Sequence, residues 1–164
     1  MVGKLTPNDV MSCSRLPAIM GVSRWSTPNE ELARSLDAMA GLLPEYTESE
    51  PAHWGNLLEP IILGEMAQRL GLDAWYAPQT MFSAKGVALN ASLDGVGTML
   101  HNVDVILTSN PAKKIYVMGA DRIVLRGPGV LESKCADCDP EDEPALYRGP
   151  IQLQGCMLCT GYQW

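Results

Sequence analysis

Apolar residues recur at helical spacing in the first part of the chain, and one segment there carries the signals that begin a helix. In the stretch TPNE, Thr27 can cap a helix, Pro28 suits its first position, and Glu30 lies where a capping box requires an acid. We therefore expect a helix over about 28–40 that ends at Gly41.

Two further helical segments flank this one. The stretch SRLPAIMGVS predicts one or two helical turns that end at Gly21. Between Pro51 and Leu70 apolar residues recur three and four positions apart, and Gly71 supplies the stop. The apolar residues of this second long helix are Trp54, Leu57, Leu58, Ile61, Ile62 and Met66.

From about residue 73 the pattern changes to short β-type runs broken by Gly, Pro, Asn or Asp. The runs are AWYAPQTMFS, VALNASLDGV, VDVILTS, KKIYVMG, DRIVL and GVLESK. Because NPAKK and MGAD are typical of hairpin turns, we expect residues 101–126 to form an excursion of strands between two core strands. A last helix is expected from about Pro150. Helices, a sheet and a final helix together predict an α/β (α+β) layer structure.

Composition narrows the class of protein. The chain has 164 residues, 46% hydrophobic and 19% charged, which predicts a single domain over 1–164. It has no apolar run long enough to span a membrane and does not begin with the layout of a signal peptide, so we expect a cytoplasmic protein without membrane contact. The net charge of −7 argues against a surface coated with phosphate-binding cations. A nucleic acid would need a local basic patch, or metal ions that offset the acids.

Four side chains are candidates for catalysis. Glu132 and Lys134, in GVLESK, share one face of an expected strand, because alternate side chains of a strand point the same way. Asp94, in SLDGV, ends another expected strand just before a glycine. Glu59 lies on the apolar stripe of the second long helix, where a buried carboxylate needs a cation or a hydrogen-bond partner. Each also has an ordinary interpretation as a turn residue, a surface ion pair or a partly exposed acid.

Together these side chains suit the hydrolysis of a phosphodiester. Mg²⁺ commonly takes one or two carboxylates, with waters and phosphate oxygens as its other ligands, and Asp94 and Glu132 can supply those carboxylates. Lys134 beside the metal can orient or deprotonate a water and offset charge that develops on the phosphate. A second metal near Glu59 can steady the leaving oxygen.

Five short motifs carry a resemblance to a known family. They are SCSRLPAIMGVSRWSTPNEE near the amino terminus, G-x-x-x-E-P (Gly55 to Pro60), L-D-G (Leu93 to Gly95), E-x-K (Glu132 to Lys134) and Q-x-Q (Gln152 to Gln154). Their order resembles that of the lambda exonuclease and YqaJ-like viral recombinase family, within the PD-(D/E)xK nuclease superfamily, over about Ser12 to Gly161. The resemblance implies a restriction-endonuclease-like core, in which helices flank a mixed central sheet.

Carried over by position, the resemblance implies roles at a metal site. Asp94 and Glu132 would bind metal ions together with the main-chain carbonyl of Ser133. Lys134 would be the catalytic lysine, and Glu59 an additional acid on the metal side. The gap from Asp94 to Glu132 is longer than is usual in the family, which we assign to the expected hairpin excursion.

The resemblance also implies residues that contact the substrate or the site from elsewhere in the chain. Gln152 would be a helix residue that touches the active site, and Ser14 matches the family serine near the 5′-phosphate pocket. The family commonly has an arginine about two helical turns before that serine. This chain has none there, and Lys4 and Arg15 are the candidate substitutes.

By this resemblance the chain is a Mg²⁺-dependent exonuclease, with Mn²⁺ as a possible substitute, that digests one strand of double-stranded DNA from the 5′ end in phage-type recombination. The implied partners are a single-strand annealing protein and further copies of the chain in a homo-oligomer. An endonuclease or repair nuclease with the same site is the alternative within the superfamily. Because the family fold continues past the Q-x-Q helix, we expect a chain that stops at Trp164 to be a shortened form.

Cysteine spacing leaves a different class of protein open. C-x-x-C occurs twice, at Cys135 to Cys138 and Cys156 to Cys159, which suits a four-thiolate zinc site or an iron-sulfur cluster. With zinc bound there, the chain would be a non-catalytic, zinc-stapled binding module. Against this, the second pair lies in the expected last helix, where a free cysteine behaves as a small buried hydrophobe.

The tryptophans are interpreted as packing residues of the core or its edge. They are Trp25, Trp54, Trp75 and Trp164. Stacking of Trp25 on a nucleic-acid base has no support in the sequence.

Overall fold

A computed structural model of the chain describes residues 6–43, 47–99, 104–134 and 144–164. It contains helices and small antiparallel sheets, which confirms the α+β class. No helix in these ranges is long and apolar enough to cross a membrane.

The described helices begin and end close to the positions that the sequence signals indicate. They are α1 (Leu16–Ile19), α2 (Pro28–Met39), α3 (Glu50–Leu70) and α4 (Pro150–Thr160). A complete capping box between Thr27 and Glu30 starts α2, as predicted. Gly71, in the left-handed conformation with a φ of 68°, ends α3.

Short strands form a central sheet and two smaller ones. The strands are β1 (Ala74–Tyr76), β2 (Phe82–Ser83), β3 (Asn90–Ala91), β4 (Gly95–Thr98), β5 (Val105–Leu107), β6 (Ile123–Leu125) and β7 (Gly129–Leu131). In the central sheet β4 lies between β1 and β7, and β2 pairs with β3 and β5 with β6. The described strands of the central sheet pair antiparallel, where the resemblance implied a mixed sheet, and a parallel bridge joins Ser12 to Asn90.

Residues 104–126 form the expected excursion between two strands of the central sheet. Strands β5 and β6 are its antiparallel arms, and a 3₁₀ segment at Pro111–Lys113 lies in the connection. The prediction of a strand at KKIYVMG is wrong. Lys114 takes a left-handed φ of 55° inside a turn, and Ser109 Oγ accepts a hydrogen bond from the Val117 N–H at 2.8 Å, so this run closes a loop instead of extending the sheet.

Close packing of α4 against the start of the chain brings the parts of the site together. The buried core cluster consists of Cys13, Ala84, Leu89, Ala91, Leu93, Val96, Val130 and Cys156. A Cβ atom at Gly155 of α4 would overlap the Leu16 side chain and lie 3.0 Å from Cys13 Sγ, so glycine allows the close approach. The 3₁₀ turn at Cys13–Arg15, α4 and β7 therefore meet beside this core.

The tryptophans divide into two groups. Trp75 and Trp164 are half-buried, as predicted for the edge of the core. The core interpretation is wrong for Trp25 and Trp54, which are 71% and 52% exposed. Trp54 lies on the solvent side of α3, where its Nε1 donates to Glu50 at 2.8 Å.

Candidate active site

The register of the central sheet brings Asp94 beside the segment that carries Glu132. Gly95 of β4 pairs with Leu131 of β7, so Asp94 and Glu132 lie opposite each other just beyond the paired residues. Asp94 Oδ2 accepts hydrogen bonds from the Ser133 N–H at 2.8 Å and the Ser133 hydroxyl at 3.3 Å. The expected strand positions need correction, because Asp94 precedes β4 instead of ending a strand, and Glu132 follows β7.

The Glu132 carboxylate is buried but only partly paired. Its side chain is 3% exposed. Oε1 accepts hydrogen bonds from Lys134 Nζ and from Gln152 Nε2, the latter at 2.6 Å. Oε2 is buried and has no hydrogen-bond partner among the residues that the structure describes. A buried carboxylate oxygen without a partner is energetically costly, and a bound cation would supply the missing partner.

Burial and the charge of Asp94 raise the pKa values of two glutamates of the site. Burial, reinforced by the charge of Asp94, raises the pKa of Glu132 to about 7 against the opposing effects of Lys134 and Gln152. Burial and the charge of Asp94 also raise the pKa of Glu59, which Lys134 lowers in part. A divalent cation placed among these acids would favour their ionised forms.

A polar pocket of about 250 Å³ joins these groups to α3 and to the amino-terminal segment. Its lining consists of Thr6, Ser12, Cys13, Ser14, Asn56, Glu59, Ser92, Leu93, Asp94, Lys134 and Gln152. Asn56 and Glu59 are three residues apart on α3 and so share one face of that helix. The structure therefore brings the predicted residues Glu59, Asp94, Lys134 and Gln152 to one pocket.

The two predicted substrate residues in the amino-terminal segment separate in the structure. Ser14 lines the pocket, and its Oγ lies 3.0 Å from Ser12 Oγ. Arg15 is buried and points to α2, where its Nε lies 2.5 Å from Glu31 Oε2 and its Nη2 donates to the Glu31 carbonyl at 2.6 Å. The structure does not bring Arg15 to the pocket, because a buried ion pair holds its guanidinium. Lys4, the other candidate, lies outside the described residues.

Sequence reasoning missed several polar residues of the pocket, namely Thr6, Ser12, Asn56 and Ser92. The Thr6 N–H donates to Ser92 Oγ at 2.8 Å, and the two hydroxyls lie 2.6 Å apart. Ser92 is two residues before Asp94, so the alternation of an extended chain could have placed both on one side. Thr6 carries no comparable local signal, since its partner is 86 residues away in sequence.

A divalent cation fits the donors at this site. Across the described ranges, no group of three or more His, Cys, Asp or Glu side chains has the arrangement of a metal site. Mg²⁺, however, commonly takes only one or two protein carboxylates, with water and phosphate oxygens as further ligands. Asp94 and the unpartnered oxygen of Glu132 match that number. The donors therefore suit an open Mg²⁺ site that substrate completes.

The described cysteines pack as apolar side chains. Cys156 is fully buried in the core, and Cys159 Sγ lies 3.7 Å from Cys13 Sγ. Burial and the neighbouring Cys13 thiol raise the pKa of Cys159 to about 12, so the metal-free thiol is protonated at neutral pH. Cys135 and Cys138, the first pair of the alternative zinc site, lie outside the described residues.

Comparison with protein families gives a match over nearly the whole chain. The model of the YqaJ-like viral recombinase domain matches residues 7–163. No curated protein and no solved structure matched the chain. The matched range contains all the predicted acids of the pocket, Ser14, Lys134 and Gln152.

Proposed function

This chain belongs to the YqaJ-like viral recombinase family, and we propose that it is a Mg²⁺-dependent exonuclease that hydrolyses phosphodiester bonds of double-stranded DNA from the 5′ end. Family membership supports a nuclease of phage-type recombination. The observation that carries the proposal is the buried Glu132 carboxylate, whose Oε1 is held by Lys134 and Gln152 while Oε2 has no partner in the described residues.

Asp94, Glu132 and the main-chain carbonyl of Ser133 would hold the metal ion, and Glu59 is a further acid of the same pocket. When bound, Mg²⁺ or Mn²⁺ supplies a Lewis acid that polarises the phosphate and lowers the pKa of a water. The hydrogen bonds from Ser133 hold Asp94 in position before the metal arrives. Such prior positioning keeps the carboxylates from having to rearrange during catalysis.

Lys134 is suited to the proton chemistry. Its amine contacts Glu132, yet its side chain is 49% exposed and lines the pocket, so it reaches both the buried acid and the substrate. There it can hold the attacking water and offset negative charge on the phosphate. Gln152 is a positioning residue, because its hydrogen bond fixes Oε1 of Glu132.

Hydroxyl groups in the pocket support cleavage that starts at a DNA strand terminus. Thr6, Ser12, Ser14 and Ser92 all line it. Hydroxyls donate hydrogen bonds to phosphate oxygens, and we assign a terminal 5′-phosphate to this group. An exonuclease that starts at the 5′ end needs such an anchor at a fixed place beside its catalytic acids.

The partners follow from the same proposal. Double-stranded DNA is the substrate, and a single-strand annealing protein and other copies of the chain are the proposed protein partners. Because the chain carries a net charge of −7, DNA contact would be local, and binding should weaken as salt rises.

Cleavage of linear duplex DNA with a 5′-phosphate on each strand tests the function. We expect the wild type to release mononucleotides from the 5′ ends in Mg²⁺ and to stop in EDTA. Lys134→Ala should cut about 10²- to 10⁴-fold more slowly, as expected for loss of a group in proton transfer. Lys85→Ala, which removes an exposed lysine outside the pocket, is the matched control and should retain full activity.

Two further results would contradict this proposal. Cleavage of covalently closed circular DNA would favour the endonuclease alternative. An intact linear substrate after incubation with the folded wild-type protein in Mg²⁺ and in Mn²⁺ would contradict catalysis by this chain.

A further inference from the structure

Two aromatic rings and two arginine side chains lie together on the surface, and none of them lines the pocket. We name the side chains of Arg24, Trp25, Tyr147 and Arg148 the aromatic patch. The rings of Trp25 and Tyr147 lie edge to face, with centroids 5.0 Å apart and planes at 76°. The guanidinium carbons of Arg24 and Arg148 lie 5.7 Å and 5.8 Å from the Tyr147 ring centroid.

Contacts with the described residues leave most of the Trp25 side chain uncovered. Its side chain is 71% exposed although it touches Tyr147, so most of the indole surface is open to solvent. Arg24 Nη1 donates to the Tyr147 hydroxyl at 3.1 Å and so holds the ring that supports Trp25. The patch is an assembled platform and not a single exposed side chain.

The aromatic patch contains two arginine side chains, although the chain as a whole is acidic. The chain has 12 Lys and Arg residues against 19 Asp and Glu, yet two guanidiniums converge here on one ring. The hydrogen bond from Arg24, with a further contribution from Arg148, lowers the pKa of Tyr147 below its ordinary value. Arg24 therefore places a cationic group beside the exposed indole, where it can contact an anionic partner.

We propose that the aromatic patch binds single-stranded DNA, with a base stacked on Trp25 and a neighbouring phosphate contacted by Arg24. Exposed aromatic rings beside cationic groups bind single strands in this way, because every base has a face that can stack. The choice of DNA rests on the proposed function, since digestion of one strand of a duplex leaves the other strand unpaired. The patch would hold that remaining strand.

The patch lies close enough to the catalytic residues to meet the remaining strand near the point of cleavage. Tyr147 belongs to the 3₁₀ turn at Leu146–Arg148, and Gln152, which contacts Glu132, follows five residues later in α4. Five residues span at most about 18 Å when fully extended. That length corresponds to about five phosphates along one strand of a duplex.

Binding of a fluorescein-labelled oligothymidylate of about 20 nucleotides, followed by anisotropy in EDTA, tests the patch without any cleavage. Trp25→Ala should weaken binding about tenfold or more, because it removes the stack on one base, whereas Trp25→Phe should retain most of the affinity. Met39→Ala removes a side chain that is 72% exposed on α2, and this control should bind as the wild type does.

A strand of the same length that lacks bases separates stacking from a general disturbance of the surface. On this abasic strand Trp25→Ala should bind as tightly as the wild type. Arg24→Gln should instead make the plot of log affinity against log salt shallower by about 0.7 on both strands, since one phosphate contact is lost.

The proposal is overturned if Trp25→Ala binds oligothymidylate like the wild type, or if its loss of affinity is equal on the abasic strand. The assay is independent of the exonuclease proposal. If the protein binds oligothymidylate through Trp25 but leaves duplex DNA intact, the patch proposal stands and the exonuclease proposal fails. If the protein cuts duplex DNA but Trp25→Ala binds oligothymidylate as the wild type does, only the patch proposal fails.

Discussion

Two buried glutamates, Glu31 and Glu132, differ in how completely their carboxylate oxygens are paired. Glu31 on α2 is 4% exposed, and both its oxygens are paired, Oε2 with Arg15 and Oε1 with Ser26 and Arg34. The side chain of Glu132 beside β7 is 3% exposed, against 5% for that of Glu31, but its Oε2 has no partner in the described part of the chain. Similarly low side-chain exposure thus accompanies unequal pairing.

Their pKa values move in opposite directions as a result. Burial pushes the pKa of Glu31 upward, but hydrogen bonds from Ser26 and Arg15 and the charge of Arg34 outweigh it, so its pKa lies below the ordinary value. At Glu132 burial prevails, and the pKa rises to about 7. A buried acid with incomplete pairing and a raised pKa is therefore the better candidate for a functional residue.

The largest effect is expected where the pairing is complete. Arg15→Met should lower the free energy of unfolding by about 3 to 5 kcal/mol, because it leaves a buried carboxylate without its main cation. Arg34, the other cation paired with Glu31, has a side chain that is 51% exposed. Arg34→Met should therefore lower the free energy of unfolding by less than about 1 kcal/mol. Urea unfolding of both variants measures the difference, and equal losses would contradict a buried role for Arg15.

The fate of Arg15 shows what local sequence signals can and cannot reveal. The capping box at Thr27 and the stop at Gly71 were predicted because each depends on residues a few positions apart. The pairing of Arg15 with Glu31 depends on how α2 packs, which no motif encodes, so the sequence could not show that Arg15 lies against α2 and outside the pocket.

The same limit applies at the pocket. The motifs predicted that Asp94 and Glu132 act together, but the register that sets them opposite each other is a long-range property of β4 and β7. The contact of Thr6 with Ser92 joins residues still further apart in sequence and was missed. Trp25 was assigned to the core because its residue type favours burial, whereas the partner that keeps it at the surface, Tyr147, lies far along the chain.

The next largest effect is an expected increase in the free energy of unfolding when Glu132, the incompletely paired acid, is replaced by glutamine. Because the pKa of Glu132 is about 7 in the folded protein against an ordinary 4.5, the folded state binds more protons between these pH values. Stability of the metal-free protein should therefore fall as pH rises through this window and stay low above pH 7. Glu132→Gln does not titrate and should be more stable than the wild type at pH 8, by up to about 3 kcal/mol.

Urea unfolding in EDTA at pH 8 and at pH 4.5 measures this effect, which should vanish at the lower pH. Glu31→Gln is the matched control. Because the pKa of Glu31 is lowered by its partners, this variant should lose stability at neutral pH. A Glu132→Gln protein that loses stability at pH 8 as well would mean that the two acids do not differ in kind.

A smaller effect is expected from the amide that positions Glu132. Gln152→Ala removes the hydrogen bond to Oε1 and should weaken Mg²⁺ binding or cleavage about 10- to 100-fold, as is usual for a residue that orients a metal ligand. Gln154→Ala alters the same helix at an exposed position outside the pocket and should have little effect. Calorimetric titration with Mg²⁺ compares the two, and matching losses would contradict the positioning role.

The smallest effect concerns pH and the metal. In the proposed site, Mg²⁺ binding requires the ionised Glu132 carboxylate. With a pKa of about 7, most of this group is protonated at pH 6 and ionised at pH 8. The affinity for Mg²⁺ should therefore fall about tenfold from pH 8 to pH 6, because one proton must be displaced. The complete pairing of Glu31 predicts no such link to the metal, so Glu31→Gln, assayed at a temperature where it remains folded, should show the same tenfold change. An affinity that is flat between these pH values would place the metal away from Glu132 and remove the contrast between the two acids.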